Sequence, residues 1–503
     1  MRGRRLKVLA AGAALAVLPA TAALAGTSTT PAPGSPAYVA RDAQNVRDAY
    51  GRQTAPDGQL TPQYLLALQR VSTTTGVQQL LEQAARPNRP AVTPGNLAPG
   101  WNVGNPYRES WNGKRGRIAP VRFLNRYGAE LVGDVFAPLP RARDPYTGKA
   151  LTGPFPAVVI TPGSVQGSER MYWWLAEDLA ERGYVVLTYD TQGQGRSETL
   201  PHLAPNVPGT KIKPDVPFCD PLMPPATYES NGCPGVPSQQ ASNFVVGTED
   251  ALSFLLSTPA KPYRGTSNPY WKAIDRRPDP KPNARGRTAK VAVIGHSLGA
   301  FAVSYLQGVD PRISAVVALD KLSAGTSNPP GTQLPATKPV VPALGIQSEY
   351  GFTVAPYVAN GGSSLTPTPI PPNQAPDARR ELKTGYTAWR AAGVDSMVVV
   401  PRSSTHLEYT DIALALPASR YGQDVASHYA QAWLDKYLKN DPSADAALLA
   451  TSFRYFEPTS SGAWKAITLQ RNPHLSYQFC SAYSWARSVG GRSASTGVNG
   501  VGC

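Results

Sequence analysis

The chain has 503 residues, a formal net charge of +15, and abundant Pro (51) and Gly (45). That length suffices for one large domain with extensions, and beyond an amino-terminal leader no segment is apolar enough to span a bilayer. The charge comes without a nucleic-acid-binding motif or a dense basic run, so it reads as the scattered Arg and Lys of a soluble exported protein; the one charged partner it suggests is an anionic cell-wall polymer, weakly attracted.

Residues 1–25 read as an export signal. Arg2, Arg4, Arg5 and Lys7 precede the apolar run Val8–Ala20, and Ala23-Leu24-Ala25 is a small-x-small cleavage site. Removing 25 of 503 residues would leave 478, and removing those four positive charges would leave +11. The expected location is therefore extracellular. Residues 26–115 read as a linker and a helical extension. Residues 26–35 are rich in Thr, Ser, Pro and Gly, residues 36–86 are polar and helical with an apolar cluster at Tyr64–Leu68, and the Pro/Asn/Gly stretch Pro87–Pro106 follows.

From about Gly116 to residue 445 the pattern predicts one α/β domain. Val121–Pro138 alternates around Tyr127-Gly128 as a β-hairpin does. Pro156–Ile160 and Tyr184–Tyr189 are short apolar strands flanking a helix, Arg170–Arg182, that Gly183 ends. Phe244–Leu256 is a helix, and Lys290–Ile294 begins the next strand. Ile313–Leu319, Val340–Ile346 and Ser396–Val400 are further strands; Thr387–Ala392 and Val425–Leu438 are helices. Strands that are continuous apolar runs, alternating with helices, predict a mostly parallel sheet with helices on both faces. Two Pro-rich insertions, 200–243 and 352–377, leave the carboxyl side of strands, where such sheets bind ligands. They read equally as lids or as passive surface excursions. Residues 446–503 form a carboxyl-terminal extension.

The chemistry concentrates at Lys290-Val-Ala-Val-Ile-Gly295-His296-Ser297-Leu298-Gly299-Ala300, where an apolar strand runs into Gly-x-Ser-x-Gly and a small-residue helix follows. Serine is a poor nucleophile unless it is held rigidly, exposed and next to a base. A sharp strand–turn–helix does the holding, and the flanking glycines let the backbone bend. Ser297 is therefore the candidate nucleophile. Its base is found by elimination among five histidines. His296 lies inside the turn, with its side chain expected to point away from Ser297. His202 is in an insertion, His428 on a helix and His474 in the tail. His406 alone sits on a loop past the last strand, downstream of Ser297. A carboxylate must then orient the imidazole. Glu349 follows the strand before the histidine strand, the usual source, and is preferred; Asp320, one strand earlier, is the alternative. Oxyanion donors are expected from the N–H of Leu298 and from the loop Thr161–Gln166, with Ser164 preferred and Val165 as alternative. The turn Asp190-Thr-Gln-Gly193-Gln-Gly195-Arg-Ser197 lacks a phosphate loop's Lys-Ser/Thr ending and reads as a structural turn beneath the site.

Four cysteines fall in two local groups, Cys219 with Cys233 and Cys480 with Cys503. An exported protein meets oxidising conditions, so disulfides are expected, and local pairing is the simplest of the three arrangements. None has the spacing of a metal site, and neither metal nor cofactor is expected.

Over roughly residues 116–445 the chain resembles the α/β-hydrolase superfamily. The resemblance rests on Pro162-Gly163, the Asp190…Gly193-x-Gly195-x-Ser197 turn, Gly295-x-Ser297-x-Gly299 and the late His406. Within it the chain is similar to cutinase-like and dienelactone-hydrolase-like secreted esterases. Gly345-Ile-Gln-Ser-Glu349 followed by Thr353-Val-Ala-Pro356 resembles the acid loop of bacterial polyester hydrolases, where an aspartate holds the position of Glu349. Those enzymes carry Met where this chain has Leu298, an aromatic residue where it has Ser164, and Trp where it reads Asp320-Lys321-Leu322. The resemblance implies an α/β-hydrolase fold and a secreted serine esterase acting on an ester of unspecified size, without cofactor. A peptidase or amidase on the same fold, and a non-catalytic wall-binding relative, are the alternatives.

Overall fold

The computed structural model describes residues 31–85, 103–126, 128–164, 168–198, 241–324, 335–360, parts of 371–376, and 385–412, 420–487 and 490–497. The leader 1–25, nearly all of the first insertion and much of the second lie outside the described residues.

The long helices are α1 (Pro36–Thr54), α2 (Pro62–Ala84), α3 (Trp173–Glu181), α4 (Ala241–Leu255), α5 (Leu298–Leu306), α6 (Gly385–Ala391), α7 (Arg420–Leu438) and α8 (Ala444–Leu449). Ser35 caps α1 through its side chain, with Pro36 at the first helical position, where a missing N–H costs nothing. Gly183 at φ 82° ends the α3 segment as expected, in the left-handed conformation that suits glycine.

Strand β1 (Gly116–Leu124) pairs antiparallel with β2 (Glu130–Pro138), Leu124 opposite Glu130 across the expected turn. Then come β3 (Ala157–Thr161), β4 (Val185–Tyr189), β5 (Val291–His296), β6 (Ala315–Leu319), β7 (Ala343–Ile346) and β8 (Ser396–Val399), every residue of which is buried. They lie in the order β4-β3-β5-β6-β7-β8, all parallel. Successive strand side chains point to opposite faces, which accounts for the continuous apolar runs. Val158, Ile160 and Val186 join one core with α3 and α7, while Ala157, Val159, Val185 and Leu187 join the other with α4, α5 and α6.

The carboxyl-terminal segment does more than extend the domain. Strands β9 (Ser452–Pro458) and β10 (Trp464–Gln470) make a separate hairpin. Strand β11 (Ala482–Ala486) pairs antiparallel with β8, and β12 (Arg492–Ser495) pairs with β11. The sheet thus continues past residue 445 to ten strands, because the outer edge of β8 presents unpaired backbone groups that β11 satisfies.

This topology fixes where a site can form. From β3 the chain moves outward to β4, then crosses back to β5 on the other side of β3. Strand order reverses between β3 and β5, whose ends pair in register at Thr161 and Gly295. The loops leaving the carboxyl ends of two such strands diverge and open a crevice.

His428 on α7 is half-buried against the β9–β10 hairpin. It stacks on Phe453 with ring centroids 3.9 Å apart, and its Nε2 lies 3.0 Å from the Ala447 carbonyl. Burial lowers its pKa to about 4. The unfolded chain protonates this histidine near pH 6.5 and the folded chain does not. Its contribution to stability is therefore complete above about pH 6.5 and lost as pH falls towards 4. Urea midpoints measured across that window should fall more steeply for the natural chain than for His428→Phe, by up to about 1.4 kcal/mol per pH unit. Parallel pH curves for the two proteins would refute this.

Candidate active site

Ser297 sits between β5 and α5 at φ 56°, ψ −120°, a conformation that non-glycine residues rarely adopt and that persists only where the surroundings over-determine it. The two motif glycines show why the turn needs them. A Cβ on Gly295 would lie 2.1 Å from the carbonyl oxygen of Gly299, and one on Gly299 would lie 2.4 Å from that of Pro162. Ser297 is half-buried where the flanking Gly295 and His296 are fully buried, so the turn lifts its side chain towards solvent.

The Ser297 N–H donates to the carbonyl of Leu319 at 3.0 Å, joining the turn to the end of β6. The next residue is Asp320. Its Oδ2 lies 2.7 Å from Nδ1 of His406, and Ser348 donates to the same carboxylate from Oγ at 2.6 Å and from N at 3.2 Å. Burial pushes the Asp320 pKa up, but the hydrogen bond and charge of His406 and the Ser348 donors outweigh it, and the net shift is downward. An ionised carboxylate only accepts, so His406 carries a proton on Nδ1 and turns Nε2 away from Asp320.

Glu349, the carboxylate expected to orient His406, does not do so. It is fully buried, and its oxygens accept from the Ser403 N–H at 2.5 Å, the Ser476 hydroxyl at 2.6 Å and the Asn45 amide at 3.1 Å. Burial raises its pKa against those donors. β6 is the immediate neighbour of β5, and its first loop residue, Asp320, reaches the His406 imidazole; after β7, Ser348 braces Asp320 while Glu349 meets the loop before His406 at Ser403 and Ser404.

His296 has a use that its place in the motif did not reveal. Its Nε2 lies 2.8 Å from the main-chain carbonyl of His406, which can only accept, so the proton is on Nε2. Its Nδ1 then accepts from the Tyr172 hydroxyl at 2.8 Å, and that hydroxyl accepts the Gly163 N–H at 2.9 Å. One relay thus ties together the loop after β3, the Ser297 turn and the His406 loop. Burial, with His406 alongside, lowers the His296 pKa to about 3, so it stays neutral and serves as scaffold. Tyr172, from a single tight turn before α3, carried no sequence signal, since its contact exists only once β3 and β5 are adjacent.

The loop after β3 presses on the turn. A Cβ on Gly163 would lie 3.1 Å from the Ser297 Cβ and 2.9 Å from His296 Nδ1. With the Gly163 N–H committed to Tyr172, the next amide along is that of Ser164, half-buried; Val165 lies outside the described residues. Leu298 begins α5, where the first N–H groups have no acceptor within the helix. The turn after β4 supports this loop as expected. Gln194 donates to the Gly163 carbonyl at 3.2 Å, and Asp190 accepts the N–H groups of Glu169 and Arg196, each at 2.7 Å. Phe352, 43 % exposed, stands edge-on to His406 with centroids 5.1 Å apart and gives the mouth an apolar wall.

The structure therefore brings together Ser297, His406, Asp320, Leu298 and Ser164, and leaves Glu349 behind the histidine loop. A hydroxyl on a strained turn, a carboxylate-held imidazole and neighbouring backbone amides can carry out acyl transfer. Cys480 is buried; Cys219, Cys233 and Cys503 lie outside the described residues. Among the described residues no cluster of His, Cys, Asp and Glu could hold a metal ion, and no helix is long and apolar enough to cross a membrane. No family model matches the chain, and no curated protein matches it.

Proposed function

We propose that the protein is an exported serine hydrolase of the α/β-hydrolase fold that cleaves carboxylic esters through an acyl-enzyme. The observation that carries this reading is the His406–Asp320 hydrogen bond of 2.7 Å, held one residue from the carbonyl that anchors the Ser297 turn. The reversal of strand order between β3 and β5, with Ser297 at the end of β5, supports the fold.

In the proposed cycle, Ser297 Oγ attacks the ester carbonyl while His406 Nε2 takes its proton. Asp320 stabilises the imidazolium, and the amides of Leu298 and Ser164 hold the oxyanion. Collapse expels the alcohol, which takes the proton from Nε2. Water activated by the same nitrogen then attacks the acyl-serine, Ser297 recovers a proton, and the carboxylic acid leaves. Every proton and electron pair is handled by the substrate, water and the chain's own residues.

A peptidase would use the same constellation. The exposed Phe352 beside His406 favours an apolar ester over a polar peptide. The wall-binding alternative would leave the Ser297 turn without a task. A fluorophosphonate probe distinguishes them: stoichiometric labelling at Ser297, with turnover of p-nitrophenyl esters and none of peptide anilides, is expected. A folded protein that resists the probe would overturn the catalytic reading, and faster anilide cleavage would move the substrate to amides.

A further inference from the structure

We propose that Asn45 of α1 and Glu349 are positioning residues that set the loop carrying His406, so that the amino-terminal helix is a working part of the catalytic apparatus. The proposal rests on the esterase reading for its kinetic readout.

The loop from Arg402 to His406 is laced on two sides. On one side runs the segment after β7. The Glu349 N–H donates to Ser404 Oγ at 3.0 Å, the Tyr350 N–H to the Ser404 carbonyl at 2.9 Å, and the His406 N–H to the Gly351 carbonyl at 2.9 Å. Ser403 sits at φ 56°, unfavourable for a residue with a Cβ, and its N–H is taken by the Glu349 carboxylate. On the other side lies α1. Asn45, fully buried, donates to Glu349 and to the Tyr350 hydroxyl at 3.2 Å; its Oδ1 accepts from Arg402 Nε at 2.6 Å, and its carbonyl accepts from the Ser403 hydroxyl at 3.0 Å. One turn to either side, Asp42 accepts from the Tyr350 hydroxyl at 3.1 Å and the Tyr357 N–H at 2.8 Å, and Asp48 pairs with Arg402.

The buried face of α1 is Tyr38, Asp42, Asn45, Ala49 and Gln53, three of its five residues being polar. A helix needed only for stability would bury an apolar stripe. A hydrogen-bonded face adds little net stabilisation per contact, but it fixes geometry, because each donor accepts one placement of its partner. That geometry is delivered to Ser403, Ser404 and, two residues on, the imidazole. A misplacement on the order of 1 Å costs about 10²-fold in rate.

The test compares Asn45→Ala and Glu349→Gln with the natural full-length chain. Steady-state kinetics are run on a p-nitrophenyl ester well below each protein's melting temperature, with the low-field NMR signal of the His406 Nδ1 proton recorded alongside. Both variants should lose about 10- to 100-fold in kcat with KM within about twofold, slow fluorophosphonate labelling in the same proportion, and broaden or shift the Nδ1–H signal. A lowered melting temperature with unchanged kcat and an unchanged signal would reduce α1 to a structural brace and overturn the proposal. If the natural chain neither turns over esters nor reacts with the probe, the esterase reading fails on its own, and the NMR comparison still decides whether Asn45 and Glu349 hold His406.

Discussion

Ser297→Ala is expected to lower ester turnover by about 10⁶, down to the residual rate that oxyanion donors and binding supply. The loss should fall on kcat, because attack by the hydroxyl exists only on the way to the transition state. Stability should change by less than about 0.5 kcal/mol, since the side chain is half-buried and Ala pays the same conformational cost as Ser at φ 56°. Thermal melts alongside kcat on p-nitrophenyl esters check both halves. Retention of more than a few per cent of activity in a normally melting variant would remove Ser297 from the role of nucleophile.

Asp320→Asn should cost about 10⁴ in kcat, as loss of an orienting carboxylate does in a Ser-His-Asp site. The carboxylate now accepts from His406 Nδ1 and from both the hydroxyl and the amide of Ser348. An amide offers one acceptor oxygen to those donors and turns an NH₂ towards another, which forces the imidazole into the wrong tautomer or out of place. Glu349→Gln should cost far less, about 10- to 100-fold, because it acts only through the loop backbone. Equal losses, or the larger loss at Glu349, would return the orienting role to the later strand. The Asp320 pKa lies below the ordinary carboxylate value, so the stability its ionised form contributes is present above about pH 4 and is lost only as pH falls through its folded value. The carboxylate therefore stays ionised at neutral pH.

How much of this was legible beforehand follows from how local each requirement is. The Ser297 turn was readable because the strand, the two glycines and the small-residue helix are contiguous, and each glycine answers a clash made within five residues or with the neighbouring strand end. His406 was readable by elimination among five histidines. The mostly parallel sheet was readable from unbroken apolar runs, since a strand buried on both faces has no polar side to alternate. The acid was not. Asp320 and Glu349 both follow strands between Ser297 and His406, and nothing along the chain tells which strand end faces the histidine loop.

By itself, the sequence determined the main elements between residues 116 and 445, their alternation, the serine on its turn and the histidine after the last parallel strand, because local backbone sterics and hydrophobic periodicity act over a few residues. Only the tertiary structure decided which carboxylate meets His406, since that depends on β6 lying beside β5. The same holds for the His296–Tyr172 hydrogen bond, which spans 124 residues, and for the contact of Asn45 with Glu349, which spans 304. It holds too for β11 closing the edge of β8. Hydrogen bonds between groups so far apart leave no trace in spacing or propensity, because their geometry is set by how the sheet and its helices pack.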